Sequence, residues 1–128
     1  HNIRTCVHII NGLPDETPEM MQQTAEYVAS LNPDGVKIHL LHVLKNTRME
    51  KLLNAERLAL MEKDAYCELV ANQLEILPET CIIHRLTGDG APDDLLGPMW
   101  SLKKFDVMNT IDKILLQRNS WQGKLYQQ

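Results

Sequence analysis

The sequence lacks several features that define common protein classes. Lys37, His39 and His42 interrupt its longest apolar run, and no run approaches the roughly 18 residues that a membrane span requires. No P-loop, GxSxG or HExxH motif is present, so the usual signatures of nucleotide, serine and zinc hydrolases are missing. With 44% hydrophobic and 23% charged residues and a net charge of −4, the composition predicts a soluble, cytoplasmic domain with one core.

Cysteines are few and are not grouped. Cys6, Cys67 and Cys81 are an odd number without CxxC or CxxxCxxC spacing. This pattern predicts buried thiols that behave as small apolar residues. It argues against a disulfide framework and against a zinc or iron–sulfur site made from this chain alone.

Five histidines occur, and three of them open a metal-site hypothesis. His8, His42 and His84 lie near the ends of predicted neighbouring strands and are candidates for the ligands of a metal hydrolase. His39 and His42, three residues apart on one predicted strand, are expected to point to opposite faces. Hydrogen-bonded core or barrel-lining histidines are the favoured interpretation.

Three short apolar runs alternate with helical patterns. Residues 5–10, 36–44 and 81–86 are aliphatic or β-branched and are bounded by turn-forming residues, which predicts strands buried on both faces. Helices are predicted over 18–31, with Thr17 as N-cap, over 62–77, with Gln73 on its apolar face, and over 102–118. This order indicates an α/β fold with a parallel sheet. The chain enters its first strand by Cys6 without an initial Met, which predicts a piece of a longer protein.

Ligands of parallel α/β folds meet the carboxyl ends of the strands, which here are residues 11–16, 44–48 and 86–90. At the first of these ends, Gly12 allows a close backbone approach, and a flat apolar group such as adenine fits against Ile10 and Leu13. A ligand-free turn is the alternative. At the third end, the glycine-rich run 88–94 is not a dinucleotide turn, because its aspartates would repel a pyrophosphate.

The last 28 residues hold five basic and two acidic groups, with aromatic residues among them. Such interleaving is found where proteins hold single-stranded RNA, and a solvated helix face explains it equally well. An RNA- or protein-docking module without catalysis is therefore an alternative function, carried by Lys103, Lys104, Lys113, Arg118, Trp121, Lys124 and Tyr126.

Four blocks in order resemble radical S-adenosylmethionine (SAM) proteins. Residues 9–17 (IINGLPDET) resemble the turn that precedes a helix in oxygen-independent coproporphyrinogen oxidases and the elongator catalytic subunit. Residues 37–49 (KIHLLHVLKNTRM) resemble the next barrel strand and its exit. Residues 83–90 and 100–104, with 121–123, resemble the C-terminal region of an uncharacterised bacterial branch related to that elongator subunit.

The resemblance implies the last βα units of a partial (β/α)6 radical SAM barrel in residues 1–50 and an α/β C-terminal module in residues 51–128. It implies SAM and a [4Fe–4S] cluster as cofactors of the parent enzyme, which generates a 5′-deoxyadenosyl radical. The cluster-binding CxxxCxxC is absent here, so the fragment alone is expected to be inactive and to supply no metal ligand.

The family's loosely defined GxIxGxxE element supports the adenine of SAM, and it maps onto His8, Ile10, Gly12 and Asp15. The first Gly and the final Glu are thus replaced, and Glu16 is a substitute one residue later. The implied cofactor-binding residues are Ile10, Gly12, Leu13 and Asp15. Asn46 stands where relatives commonly have Gly, and Asn tolerates a left-handed turn.

Candidates for contacts with the substrate or between the modules are His84, Arg85 and Asp89, at the end of the third strand; a salt-bridged junction is the alternative. The expected partners are the missing N-terminal barrel half, RNA (including tRNA) as a substrate, and a second copy paired through the exposed sheet edge.

Overall fold

The computed structural model describes residues 3–87 and 93–127. The elements follow one another as β1 (Cys6–Asn11), α1 (Pro18–Ser30), β2 (Gly35–Leu40), β3 (Val43–Leu44), α2 (Arg48–Asn54), α3 (Lys63–Ile76), β4 (Ile82–Arg85), β5 (Leu95–Gly97) and α4 (Lys104–Gln117), with a short 3-10 helix at Met99–Leu102 before α4. The α/β class predicted from the sequence is confirmed. In this part of the chain, no helix has the length and apolar character that crossing a membrane requires.

The larger sheet is parallel, in the order β1-β2-β4. It does not close into a barrel within the described residues. A second, two-stranded sheet pairs β3 with β5 in antiparallel orientation. The three long helices begin and end within two residues of their predicted bounds. Thr17 caps α1 as expected, because its Oγ1 accepts a hydrogen bond from the Met20 amide at 3.2 Å.

One predicted strand is in fact two. The apolar run 36–44 breaks after Leu40, and Val43–Leu44 leaves the parallel sheet to pair with β5. Leu41 still bonds to β1, since its amide donates to the Asn11 carbonyl at 2.8 Å. The apolar run hides the break because strands of both sheets need aliphatic residues. His42 therefore lies between two strands and not on the same strand as His39.

The core lies on one face of the parallel sheet. Alternate residues of β1 and β2, among them Ile9, Val36 and Ile38, are buried against α1, α3 and α4. The opposite face is accessible: Ile10 is 46% exposed and Ile82 61% exposed. The prediction that all three strands are buried on both faces was therefore wrong. α1, α3 and α4 all pack on the other face, so burying the accessible face would require a further layer of protein.

Candidate functional site

The carboxyl end of β1 is fixed by a buried pair of amides. Asn11 Nδ2 donates to Gln73 Oε1, and Gln73 Nε2 donates back to Asn11 Oδ1, both at 2.9 Å. Gln73 Nε2 also donates to the Met21 carbonyl at 3.2 Å. Both amides are fully buried, and buried amides are stable only when they are paired. The pair therefore ties the end of β1 to α3 and α1.

The turn that follows β1 presents apolar side chains beside accessible backbone. Gly12 has φ +90°, and a Cβ there would meet the Met61 sulfur at 3.6 Å. Leu13 is 36% exposed, and Asp15 is a non-glycine residue with φ +65°. Ile10, Gly12, Leu13 and Asp15 thus lie on one strand end and its turn, as the sequence predicted. Their roles toward a ligand stay a prediction.

Ile10 and Gly12 are suited to contact the adenine of SAM, whereas the cysteines of the chain are poorly suited to bind an iron–sulfur cluster. Exposed Ile10 beside Gly12 offers an apolar surface on which a flat ring can stack. The three cysteines are free, and Cys67 and Cys81 are buried. Burial raises the pKa of Cys67 to about 11, which disfavours the thiolate that iron requires. Cys6 is exposed, contrary to its predicted burial.

Basic groups line the accessible side of the parallel sheet, which we call the open face and define by His8, Ile10, Lys37, His39 and Arg85. Parallel pairing aligns His8 with Lys37, Ile10 with His39, and Lys37 with Arg85. The His8 and His39 rings lie 5.3 Å apart between centroids. His84 belongs to the same side, because its imidazole lies against the backbone of Gly35. The fold therefore gathers five strand residues with positive or titratable groups.

The pKa values of His39 and His42 are both lowered from the ordinary value of a histidine. Burial lowers the pKa of His39, and the charges of His8, Arg85, Lys37 and His42 lower it further. Burial and the nearby Lys104 lower the pKa of His42. The Nε2 atoms of both rings are buried and have no hydrogen-bond partner within residues 3–87 and 93–127. The hydrogen-bonded core part of the expectation therefore does not hold for these two Nε2 atoms, whereas the barrel-lining part stays a prediction.

The free energy of unfolding is expected to fall as the pH is lowered from about 7.5 to 5.5. An unfolded histidine titrates near 6.5, so below that pH the unfolded chain binds more protons than the folded chain does, and stability is lost. Urea unfolding at a series of pH values measures this slope. The double variant His39→Gln/His42→Gln is expected to flatten it, and an unchanged slope would contradict the shifted pKa values.

The carboxyl end of β4 is held by Tyr66, whose hydroxyl donates to the Leu86 carbonyl at 2.6 Å. Burial strongly raises the pKa of this tyrosine, so it stays a donor. The next residue inward along the strand, Arg85, shares the wall of a cavity with His84 and with Lys104 of α4. The structure thus brings together two of the three residues predicted for substrate or module contacts. The third, Asp89, lies outside the described residues.

A three-histidine metal site is not formed. Among the described residues, no group of three or more His, Cys, Asp or Glu side chains is placed to hold a metal ion. His8 packs against His39 and His84 against Gly35, while His42 lies beyond the end of β2. His42 follows the break after Leu40 and lies outside β2, and the described residues do not support the hypothesis that His8, His42 and His84 form a metal-hydrolase site.

Much of the basic tail is engaged within the chain. Arg118 donates to Asn72 Oδ1 at 2.7 Å and forms an ion pair with Glu75 at 2.9 Å. The Lys124 ammonium lies 5.3 Å from the centroid of the Trp121 ring, a cation–π arrangement. These contacts favour the structural interpretation of these tail residues over direct RNA contact.

Sequence reasoning missed two features of the site. The sequence placed Gln73 on the apolar face of its helix but did not identify its hydrogen-bond partner. That partner, Asn11, is 62 positions away, and the spacing of residues within one helix or strand does not indicate such a pair. The open face was missed because its histidines interrupt runs that are otherwise aliphatic. The left-handed turn at Asn46 was foreseen: its φ is 63°.

The fold and the site define an α/β domain whose parallel sheet is open on one side at the strand ends that carry the candidate residues. Residues 33–117 match the radical SAM C-terminal domain family. The chain belongs to this family, and the recognition made from the sequence is confirmed.

Curated relatives of the chain are longer. The uncharacterised protein YtqA of Bacillus subtilis is 50% identical over 99% of the chain, which spans 39% of that relative. The uncharacterised protein MJ0486 of Methanocaldococcus jannaschii is 34% identical over 94% of the chain and 38% of its own length. The chain therefore spans about two-fifths of these relatives.

A solved structure shares the fold. The archaeal Methanocaldococcus infernus Elp3 with an N-terminal deletion (1–46) superposes with a TM-score of 0.78, over 94% of this chain and 28% of that one, at 14% identity. At this identity the likeness concerns the fold alone. It places the open parallel sheet within an architecture that larger proteins use.

Proposed function

We propose that this chain is the C-terminal part of a radical SAM enzyme and contributes one wall of its SAM pocket. The observation that carries the proposal is the open face: the parallel sheet exposes Ile10 at the end of β1, where the resemblance to radical SAM proteins places their adenine element, and residues 33–117 of the same chain match the family's C-terminal domain. SAM, when held by a [4Fe–4S] cluster, supplies a 5′-deoxyadenosyl radical. Ligands for that cluster come from outside this chain, whose cysteines lack the required spacing.

The chain's own residues act in this proposal by binding and by excluding water. Ile10 and Leu13 stack against the adenine, and Gly12 permits close approach of the backbone. The Asn11–Gln73 pair keeps that turn in position. The N-terminal barrel half, carried by the same parent chain, covers the open face and completes the pocket, so the fragment alone is inactive.

The full-length parent, reconstituted anaerobically with iron and sulfide and supplied with dithionite as the reductant, is expected to cleave SAM reductively to methionine and 5′-deoxyadenosine. The 128-residue chain treated in the same way is expected to form no cluster and to consume no SAM. Visible absorption measures the cluster, and chromatography measures the nucleoside. A cluster-loaded parent that never consumes SAM would refute the proposed activity.

A matched pair of variants tests the position of the pocket. Ile10→Glu in the parent places a carboxylate against the adenine and is expected to raise the Kd for SAM about tenfold or more. Ile3→Glu makes the same change at an isoleucine that is 78% exposed, and SAM binding is expected to stay as in the wild type. Equal Kd values for the two variants would move the pocket away from Ile10.

The alternative of an RNA- or protein-docking module is less well supported, since Arg118 and Lys124 are already engaged in contacts within the chain. RNA as a substrate, and a dimer formed through the sheet edge, stay predictions.

A further inference from the structure

A cavity of about 310 Å³ lies where β4 ends against the first two turns of α4. Three basic side chains, those of His84, Arg85 and Lys104, share its wall with apolar side chains from both elements: Ile83, Leu86 and Met108. Its volume is at the lower end of the range of about 300–1,000 Å³ found for small-molecule sites. The cavity is separate from the turn after β1 that we assign to adenine.

Among the residues that the structure describes, the charged side chains lining the cavity are cations, although the chain is acidic overall. The positive charge of Arg85 lowers the pKa of His39 on the open face, and that of Lys104 lowers the pKa of His42. None of the described residues that line the cavity is a carboxylate. The acidic residue in the first turn of α4, Asp106, is paired with Lys63 at 2.7 Å.

The start of α4 adds to the positive potential. None of the side chains in residues 3–87 and 93–127 caps its N-terminus, and the unbonded amides of a first helical turn carry a partial positive charge. Arginine and lysine form their strongest hydrogen bonds with carboxylates and phosphates. The apolar half of the wall fits the carbon skeleton to which such an oxyanion is attached.

We propose that this cavity binds a small molecule that carries an oxyanion, phosphate or carboxylate, on a flat or apolar group. Arg85 and Lys104 contact the oxyanion, with His84 beside them, and Met108 and Leu86 contact the remainder. Arg85 and Lys104 each already interact with a group of the protein, so the ligand joins or exchanges with those contacts. The ligand's status as a substrate rests on the proposed function, whereas binding itself does not.

Phenyl phosphate is the probe, because it combines a phosphate with a flat apolar ring. Its saturable binding to the full-length protein is measured by ³¹P NMR line broadening, with phenol, detected through its proton signals, as the ligand that lacks the charge. Arg85→Glu and Lys104→Glu are each expected to weaken phenyl phosphate binding about tenfold or more, as the loss of a charge-assisted hydrogen bond does. Lys113→Glu is the matched control: it makes the same charge change on an exposed part of α4 outside the cavity, and binding is expected to be unchanged.

A second variant keeps the test decisive if a charge reversal prevents folding. Met108, which is 43% exposed, lines the cavity, and Leu116, which is 80% exposed, does not. Met108→Glu is expected to abolish phenyl phosphate binding, and Leu116→Glu is expected to leave it intact. Absence of saturable binding, equal binding of phenol, or equal effects of a cavity variant and its control would overturn the proposal.

An oligonucleotide that bound through Arg85 and Lys104 while phenyl phosphate did not would also overturn the proposal, because the cations would then contact a polymer backbone outside the cavity. SAM cleavage is measured in the same preparations. If the wild-type protein binds phenyl phosphate but does not cleave SAM, only the proposed enzyme activity is refuted. If it cleaves SAM but does not bind phenyl phosphate, only the cavity site is refuted.

Discussion

Gly123→Ala is expected to lower the free energy of unfolding of the chain by about 2–4 kcal/mol. Gly123 has φ +88°, and a Cβ there would lie 2.9 Å from the Glu79 amide nitrogen and 3.2 Å from the Leu77 carbonyl oxygen. Both neighbours are backbone atoms, which cannot rotate away as a side chain can. The alanine must therefore push the tail off the end of α3.

The position of Gly123 matters because several hydrogen bonds depend on it. Its amide donates to the Leu74 carbonyl at 3.0 Å, and the Leu125 amide donates to the Glu75 carbonyl at 2.8 Å. Gln122 Nε2 donates to the Cys81 carbonyl at 2.7 Å, directly before β4. The tail thus joins the end of α3 to the start of the strand that carries His84 and Arg85. Displacing it is expected to loosen that strand as well.

Gly12→Ala is the matched control for this prediction. Gly12 has nearly the same φ, +90°, but a Cβ there would be at ordinary contact distance, 3.6 Å from the Met61 sulfur. Only the backbone strain remains, which costs about 1–2 kcal/mol. Urea unfolding of both variants gives the two free energies. Equal losses would mean that the tail moves without cost and does not clamp α3.

The helices were predictable because each carries its own signals. Thr17 and Pro18 mark the start of α1, and apolar residues at helical spacing mark the buried sides of α3 and α4. Parallel pairing followed from the alternation of strands and helices. These signals come from residues that are close together in the sequence, so one sequence is enough to identify them.

The open face and the division of residues 36–44 were not predictable in the same way. Residues on both sides of the break after Leu40 are aliphatic, and only the choice of partner, β1 for one part and β5 for the other, distinguishes them. Pairing with β5 involves residues about 50 positions away. Similarly, the cavity joins His84 and Arg85 to Lys104, which sequence inspection had assigned to a basic tail.

A large loss in the free energy of unfolding is also expected when the Asn11–Gln73 pair is broken, a pair that the sequence did not predict. Gln73→Met removes the donor Nε2 and the acceptor Oε1 from α3 and leaves Asn11 buried without its partner. An unsatisfied buried polar group costs about 1–3 kcal/mol, and Gln73 also loses its bond to the Met21 carbonyl. We therefore expect Gln73→Met to lower the free energy of unfolding by about 3 kcal/mol.

A double-mutant cycle separates pairing from mere burial. Asn11→Leu alone is expected to cost about as much as Gln73→Met alone, whereas the double variant is expected to cost less than the sum by about 1–2 kcal/mol, because no orphan amide remains. Urea unfolding of the four proteins measures this coupling. Additive losses would show that the two amides do not depend on each other. In the full-length parent, the same single variants are expected to weaken SAM binding, because Asn11 immediately precedes Gly12 and holds the turn against which adenine is proposed to lie.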